Sequence, residues 1–379
     1  MGKYELIATS TFGIEAVVKR ELIGLGFEVT KTENGKVTFL SDEAGIAKAN
    51  LWLRSADRVL LKVGEFTAVT FDELFDQTNA LDWDKIIPID GKFTVNGKSV
   101  KSKLFSISDC QRIVKKSIAK NLQKAYNLDW LEETGAEYTV LISMLKDVAT
   151  LTIDTSGTAL HKRGYRVESV LAPIKETLAA AMILLSYWNK DRVLYDVFCG
   201  SGTIPIEAAL IGKNIAPGLY RDFVSKEWEF IGKDVWKEET KNALLAIDQD
   251  VELKIVATDI SQKAIDAAKA NAEEAGVLDD ITFVKQDFKF VNYAEDYGII
   301  ISNPPYGERI GEDLEIKKLY KDMGFRFSKL TTWSKYIITS FENFEDVYRH
   351  KADRQRKLYN GKIETRYYQY YGPRRPREE

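Results

Sequence analysis

The chain has 379 residues, 45% of them hydrophobic and 29% charged, with a formal net charge of −3. That length calls for two or three soluble domains with sizeable cores rather than one. Two cysteines and two histidines exclude a disulfide framework and argue against a metal site, and no window has the roughly 18 apolar residues of a membrane span. No apolar leader follows Met1, so a cytoplasmic location is expected.

Residues 4–8 form an apolar strand. Ile14, Val17, Val18 and Leu22 then recur at helical spacing, and residues 27–29 and 36–40 flank Asn34-Gly35, a type I′ hairpin signal. These elements make a small α+β unit, placed at 1–50. A second unit, 51–160, has strands near 59–63 and 92–95 around a helix at 71–81. A helix over 109–126 follows, with Val114, Ile118 and Leu122 as its apolar ridge. Arg112, Lys116, Lys120 and Lys124 repeat at the same spacing two positions away, about 200° around the axis, so one face packs and the other presents cations. Residues 138–145 and 149–155 pair as a hairpin across Lys146-Asp147.

Charge is unevenly placed. From 92 to 124 there are nine Lys/Arg against Asp109 alone, and from 349 to 377 ten against Asp353 and Glu364. Two such regions on a mildly acidic chain suggest local contact with a polyanion, although a basic run is as often a solvated face.

From about 161 to 379 strand and helix alternate, which predicts a mostly parallel sheet. Strands are expected at 192–198, 254–259, 281–287, 298–303 and 335–340. A helix between the second and third starts at Ser261 and stops at Gly276, and a closing hairpin folds at Asn360-Gly361.

The chemistry sits at the strand ends. Asp196-Val197-Phe198 runs into Cys199-Gly200-Ser201-Gly202-Thr203, where glycine lets the backbone turn and approach a ligand. Asp196 is placed to accept from the ammonium of a methionine moiety. The loop has no Gly-Lys-Ser/Thr, as a phosphate-binding loop would. Asp259 ends the next strand and is placed to take ribose hydroxyls. It lies 57 residues beyond Gly202, against about 20 in compact nucleotide folds, so residues 213–253 form an insertion. Its aromatic residues imply packing without revealing where. Asp287 ends the third strand, placed to accept from an adenine amine with Phe288 beside the ring.

The fourth strand ends Asn303-Pro304-Pro305-Tyr306. A base amine is a poor nucleophile because its lone pair is delocalised into the ring. The Asn303 amide oxygen and the Pro304 carbonyl can both accept its hydrogens, which localises and aims that lone pair. Tyr306 offers a stacking face, a contact worth ~1–3 kcal/mol. Each acid alone could be a turn residue or a helix cap. Gly-loop, acid, acid and Asn-Pro-Pro-Tyr on successive strands line one crevice.

Together these motifs resemble the amino-methyltransferases of class I, and within them the THUMP-domain RNA guanine-N2 methyltransferases, ribosomal-RNA branch. Leu160-His-Lys-Arg-Gly-Tyr-Arg166 and Ala172-Pro-Ile-Lys-Glu-Thr-Leu-Ala-Ala180 resemble the segment that enters that family's catalytic domain, and 216–221 resembles an insertion of its ribosomal-RNA branch. The resemblance implies an α/β class I sheet with a C-terminal antiparallel hairpin, preceded by ferredoxin-like and THUMP units. It implies S-adenosylmethionine held by Asp196, Cys199, Gly200, Gly202, Thr203, Asp259, Asp287 and Pro173, with the base held by Asn303, Pro304 and Tyr306. It implies RNA as partner, ribosomal rather than transfer, met by Arg112, Lys115, Lys116, Lys120, Arg163 and Arg166, with no metal and no membrane. Transfer-RNA guanine-N2 methylation, DNA adenine-N6 methylation and a catalytically silent assembly factor remain as alternatives.

Overall fold

The computed structural model describes residues 4–168, 173–307 and 313–376. Ala172 of the linking segment and Arg377 of the C-terminal basic run lie outside the described residues. The chain forms two compact units, one from residues 1–10, 19–160 and 221–242 and the other from 11–18, 161–220 and 243–379.

The first unit is built on β1 (Tyr4–Thr9), the later part of α1 (Glu15–Gly24) from Lys19 on, β2 (Glu28–Glu33), β3 (Lys36–Ser41), α2 (Glu43–Trp52), β4 (Arg58–Thr67), α3 (Phe71–Asn79), β5 (Lys92–Val100), α4 (Ile107–Tyr126), β6 (Glu137–Leu145) and β7 (Val148–Asp154). Its strands make one sheet in the order β2-β3-β1-β4-β7-β6-β5. β4 pairs with β1 through Arg58–Leu61 and with β7 through Leu60–Thr67, so the ferredoxin-like and THUMP portions share a sheet. The β6–β7 turn puts both Lys146 and Asp147 at positive φ, the geometry of a type I′ hairpin without glycine. At Asn34-Gly35, by contrast, only Gly35 has positive φ, so the expected I′ turn is not formed there. A capping box between Thr70 and Glu73 starts α3, and Asn127 in the left-handed conformation stops α4.

Residues 221–242, the middle of the insertion, complete this unit. Trp228 is 1% exposed, its ring stacks on Tyr138 at 4.8 Å between centroids, and its indole N–H donates to the Glu137 carbonyl. Ser225 donates its hydroxyl to the Thr155 carbonyl, and Trp236 donates to that of Ser225.

The second unit contains α5 (Glu176–Leu184), β8 (Leu194–Asp196), α6 (Thr203–Gly212), part of α7 (Lys233–Leu245), β9 (Ile255–Asp259), α8 (Gln262–Glu274), β10 (Ile281–Lys285), β11 (Ile299–Ser302), α9 (Asp313–Ser328), β12 (Ser334–Thr339), α10 (Phe344–Tyr348), β13 (Arg354–Asn360) and β14 (Ile363–Tyr370). The sheet order is β10-β9-β8-β11-β12-β14-β13, parallel from β10 to β12, with β14 antiparallel to both its neighbours. Successive strands run outward from β8 first one way and then the other. β8 is therefore the point where the order reverses, and a crevice opens beside its carboxyl end.

β11 reads Ile-Ile-Ile-Ser and is buried throughout, as a central parallel strand covered on both faces must be. Its side chains alternate between two cores. Ile299 and Ile301 join Leu194, Ala257 and Ile338 beneath α5, α6 and α8, whereas Ile300 joins Tyr195 and Ile337 beneath α9 and α10. Ile14 and Val17 belong to the first of these cores. Ser261 caps α8 by accepting from Ala264 N–H, and Gly276 ends it in a Schellman turn, with Val277 N–H donating to the Ala272 carbonyl. Among the described residues no helix is long and apolar enough to cross a membrane.

Candidate active site

Asp196 is the last residue of β8 and only 1% exposed. Its Oδ1 accepts from Phe198 N–H at 3.2 Å and from the Ser302 hydroxyl at 3.0 Å, and Ser302 Oγ accepts in turn from Val197 N–H at 3.1 Å. Ser302 immediately precedes Asn303, so this exchange ties the end of β11 to the end of β8. Burial pushes the Asp196 carboxyl up to about 7, with the Asp259 charge adding to the rise and the two hydrogen bonds opposing it.

The glycine loop is held from several sides. Gly200 and Gly202 have φ of +52° and +85°, and a Cβ on Gly202 would stand 3.0 Å from that of Ala268 on α8. Cys199 N–H donates to the Thr258 carbonyl, and Gly200 N–H donates to Asp259 Oδ2 at 3.1 Å. Asp259 Oδ1 accepts from Ser261 N–H at 2.9 Å, so one carboxylate links the loop to the entrance of α8. The buried Asn271 amide donates to the carbonyls of Ser201 and Glu168 and accepts from the amides of Val167 and Glu168. Nothing near the motif marks Asn271, which lies 69 residues beyond Gly202.

Arg166 and Arg163 are turned inward, which corrects their expected place on an RNA surface. Arg166 donates to Glu176, to the Ile174 carbonyl and to the hydroxyls of Ser201 and Thr203, clamping the loop's far side. Arg163 is 4% exposed and pairs with Glu207 of α6, which also accepts from the Tyr165 hydroxyl at 3.0 Å. Pro173 is exposed, two residues before the N-cap of α5. Asp287 is half-buried, and its Oδ1 accepts from Lys289 N–H. Phe288, expected beside an adenine ring, is turned into the core. It is 4% exposed, packed against Phe198 and Phe327 in the α9 core.

Asn303 and Tyr306 are half-buried, Pro304 is buried and Pro305 exposed. The Tyr306 hydroxyl donates to Asn303 Oδ1. Tyr320, buried on α9, donates its hydroxyl to the Pro305 carbonyl at 2.7 Å and lies 2.8 Å from Thr339 Oγ1 at the end of β12. A phenol has one hydrogen, so Thr339 is the donor in that second bond. Tyr320 thus anchors the loop on a neighbouring strand, a role that only the folded chain reveals.

In the first unit the ridge of α4 forms as its spacing implies. Val114, Ile118 and Leu122 are buried, while Arg112, Lys116, Lys120 and Lys124 are exposed. Arg112 pairs with Asp109 of the same helix. Lys115 does not belong to that face: its ammonium donates to the Phe93 carbonyl at 2.6 Å and to Glu133 at 3.0 Å, which removes it from the expected RNA contacts.

The strand order, the crevice at β8 and the loop at β11 define a class I methyltransferase. Residues 163–369 match the family described as RMKL-like, methyltransferase domain, residues 5–60 the RlmL ferredoxin-like domain, and residues 68–154 the THUMP domain. The "Putative RNA methyltransferase YpsC" of Bacillus subtilis (strain 168) is 54% identical, over 100% of this chain and 99% of the relative. A "Ribosomal RNA large subunit methyltransferase K/L" from Marinomonas sp. (strain MWYL1) is 31% identical over 97% of this chain, which spans only 52% of that relative's length. Among solved structures, SMU.472, "a putative methyltransferase complexed with SAH", superposes with a TM-score of 0.94 at 44% identity, covering 99% of this chain and 100% of that one. A "predicted N6-adenine-specific DNA methylase" from Listeria monocytogenes str. 4b F2365 superposes with a TM-score of 0.93 at 50% identity, covering 98% and 96%. The chain belongs to the THUMP-domain RNA methyltransferases of class I, and its methyl donor is S-adenosylmethionine.

The residues present suit that donor. Its ammonium, ribose hydroxyls and adenine amine are all hydrogen-bond donors, and the crevice offers carboxylates at the ends of β8 and β9 and just beyond β10. The same acids would repel a phosphorylated ligand.

Proposed function

We propose that this protein transfers a methyl group to the exocyclic N2 amine of a guanosine in RNA, and that the RNA is ribosomal. The observation that carries the reading is the Asn303–Tyr306 loop, fixed at the carboxyl end of β11 by Ser302 on one side and Tyr320 on the other. Asp196, the backbone of Cys199, Gly200, Gly202 and Thr203, Asp259 and Asp287 hold the donor, with Pro173 at the edge. Bound there, S-adenosylmethionine supplies an electrophilic methyl on a sulfonium.

Asn303 Oδ1 and the Pro304 carbonyl accept the two N–H hydrogens of the target amine, which localises the nitrogen lone pair and orients it. The Tyr306 ring stacks on the base. To enter, the amine displaces the Tyr306 hydroxyl from Asn303, one hydrogen bond exchanged for another. Two acceptors in a rigid loop serve adenine N6 as well as guanine N2, so the choice of amine follows from the nucleic acid that is bound. The RNA assignment is supported by the THUMP unit with its α4 lysines, and the ribosomal one by the names of the K/L relatives. The same reading places the enzyme in the cytoplasm.

Mass-spectrometric mapping of ribosomal RNA from cells with and without the gene tests this. Loss of one N2-methylguanosine, restored by the purified protein with S-adenosylmethionine, is the expected result. An unchanged ribosomal RNA with a lost N6-methyladenine in DNA would transfer the assignment to the adenine alternative.

A further inference from the structure

The outer face of α9 carries a pattern that methyl transfer itself does not explain. The helix joins β11 to β12, which are parallel, so it runs back along the sheet with its first turn at the end that bears the Asn303–Tyr306 loop. Its inner face packs through Ile316, Tyr320, Met323 and Phe327, and Tyr320 grips the Pro305 carbonyl. At 100° per residue, Leu314, Lys317, Lys318, Lys321, Phe325 and Lys329, the last just past the helix end, fall within an arc of roughly 120° on the opposite side.

All six are exposed, Leu314 by 80% and Phe325 by 68%. Among the described residues no carboxylate pairs with Lys317, Lys318 or Lys321, and the nearby Asp322 is taken by Lys289 at 2.8 Å. Lys329 lies over the Phe325 ring, 4.3 Å from its centroid. Lys317 and Lys318 stand four and three positions before Lys321, the spacings at which like charges destabilise an isolated helix. Glu315 and Asp322, three positions before and four after Lys318, offset only part of that repulsion, and among the described residues neither is ion-paired with the strip. A polyanion laid along it would offset that repulsion, and two large apolar side chains beside the charges supply what a backbone-only contact would not need.

We propose that this face of α9 docks the RNA strand flanking the target nucleotide, its lysines on phosphates and Phe325 against a base. The inference rests on the RNA reading above and deepens it, because the strip begins beside the loop that receives the base. An acidic protein would also satisfy the ammonium groups, but the strip adjoins the Asn303–Tyr306 loop, held to α9 by Tyr320, which is where the strand carrying the target base must pass.

The test is K317A/K318A/K321A in the full chain, with binding of a short labelled single-stranded RNA of mixed sequence followed across a salt series. A labelled polyglutamate peptide runs in parallel, and calorimetry with S-adenosylhomocysteine checks the fold. Three lost phosphate contacts should lower the steepness of log K against log salt by roughly 2 and weaken binding at low salt by about tenfold or more. K317R/K318R/K321R should keep the wild-type slope, and Phe325→Ala should weaken binding with the slope unchanged. An unaltered slope and affinity in the triple alanine variant, with wild-type RNA binding intact, would overturn the inference and leave the RNA reading standing. So would loss of polyglutamate binding alone, which would point to a protein partner. Failure of the wild-type protein to bind RNA at any salt would bring down the RNA reading first.

Discussion

The side-chain oxygen of Asn303 accepts from the Tyr306 hydroxyl, a neighbour three residues along, so the acceptor proposed for the target amine is kept satisfied. On the proposed mechanism, removing it takes away the means of orienting the amine without touching the ends of β8 and β9. Asn303→Ala should cut turnover by roughly 10²–10³-fold, the scale seen when one preorganised partner of a reacting group is deleted. Donor affinity measured by calorimetry should stay within the wild-type range, and full turnover in the variant would take Asn303 out of the mechanism. Asp196 makes a second residue-level prediction. With its carboxyl pushed up to about 7 by burial, the group is largely protonated in acid, and an ammonium ligand favours the ionised form. Donor affinity should therefore climb as pH rises toward about 7, by up to tenfold per unit, and level off above it. Ser302→Ala, which deletes a hydrogen bond to the carboxylate, should move that midpoint upward, and Asp196→Asn should flatten the profile. An affinity independent of pH between about 5 and 8 would show that Asp196 does not meet the ammonium.

At the scale of elements, the sequence is readable where one helix or strand end settles the question by itself. The period of α4, the caps of α8 and the order of motifs on successive strands depend on neighbours a few residues away, and the fold reproduces them. Arg163 and Arg166 depart from the expected surface because a basic residue's destination is set by its partner. Those partners, Glu207 and Glu176, cannot be named before the chain has folded. Lys115 departs from that surface for a simpler reason: it sits one position, and so about 100°, off the Lys116–Lys120 ridge and meets β5 and Glu133 instead. What remains of the α4 face is sharper for the loss. Replacing Lys116 and Lys120 by Ala should weaken RNA binding and reduce its salt slope by roughly 1.4, with melting temperature nearly unchanged, because both side chains are exposed and form no carboxylate pair among the described residues. A slope equal to that of the wild type would return this face to plain solvation.

Over the whole molecule, the two compact units do not coincide with two stretches of sequence. Ile14 and Val17, from the first strand-to-helix segment, are 1% exposed in a core built otherwise from residues beyond 161. Trp228, from the catalytic half of the sequence, is 1% exposed against Tyr138. The insertion could be recognised from the spacing between Gly202 and Asp259, but its destination could not, since aromatic content says only that a segment packs. Cutting the chain at 160 therefore removes buried residues from both products. Burying a large side chain is worth several kcal/mol, and losing Phe or Trp from a core typically costs about 3–5 kcal/mol, a large share of a domain's net stability. Residues 1–160 expressed alone should unfold at a markedly lower urea concentration than the same unit in the full chain, and Trp228→Ala in the full chain should reproduce much of that loss. Hydrogen exchange at the amides of β6 and β7 reports the first unit separately from the second. Protection there that survives both the truncation and the substitution would show that residues 221–242 lie on this unit without stabilising it.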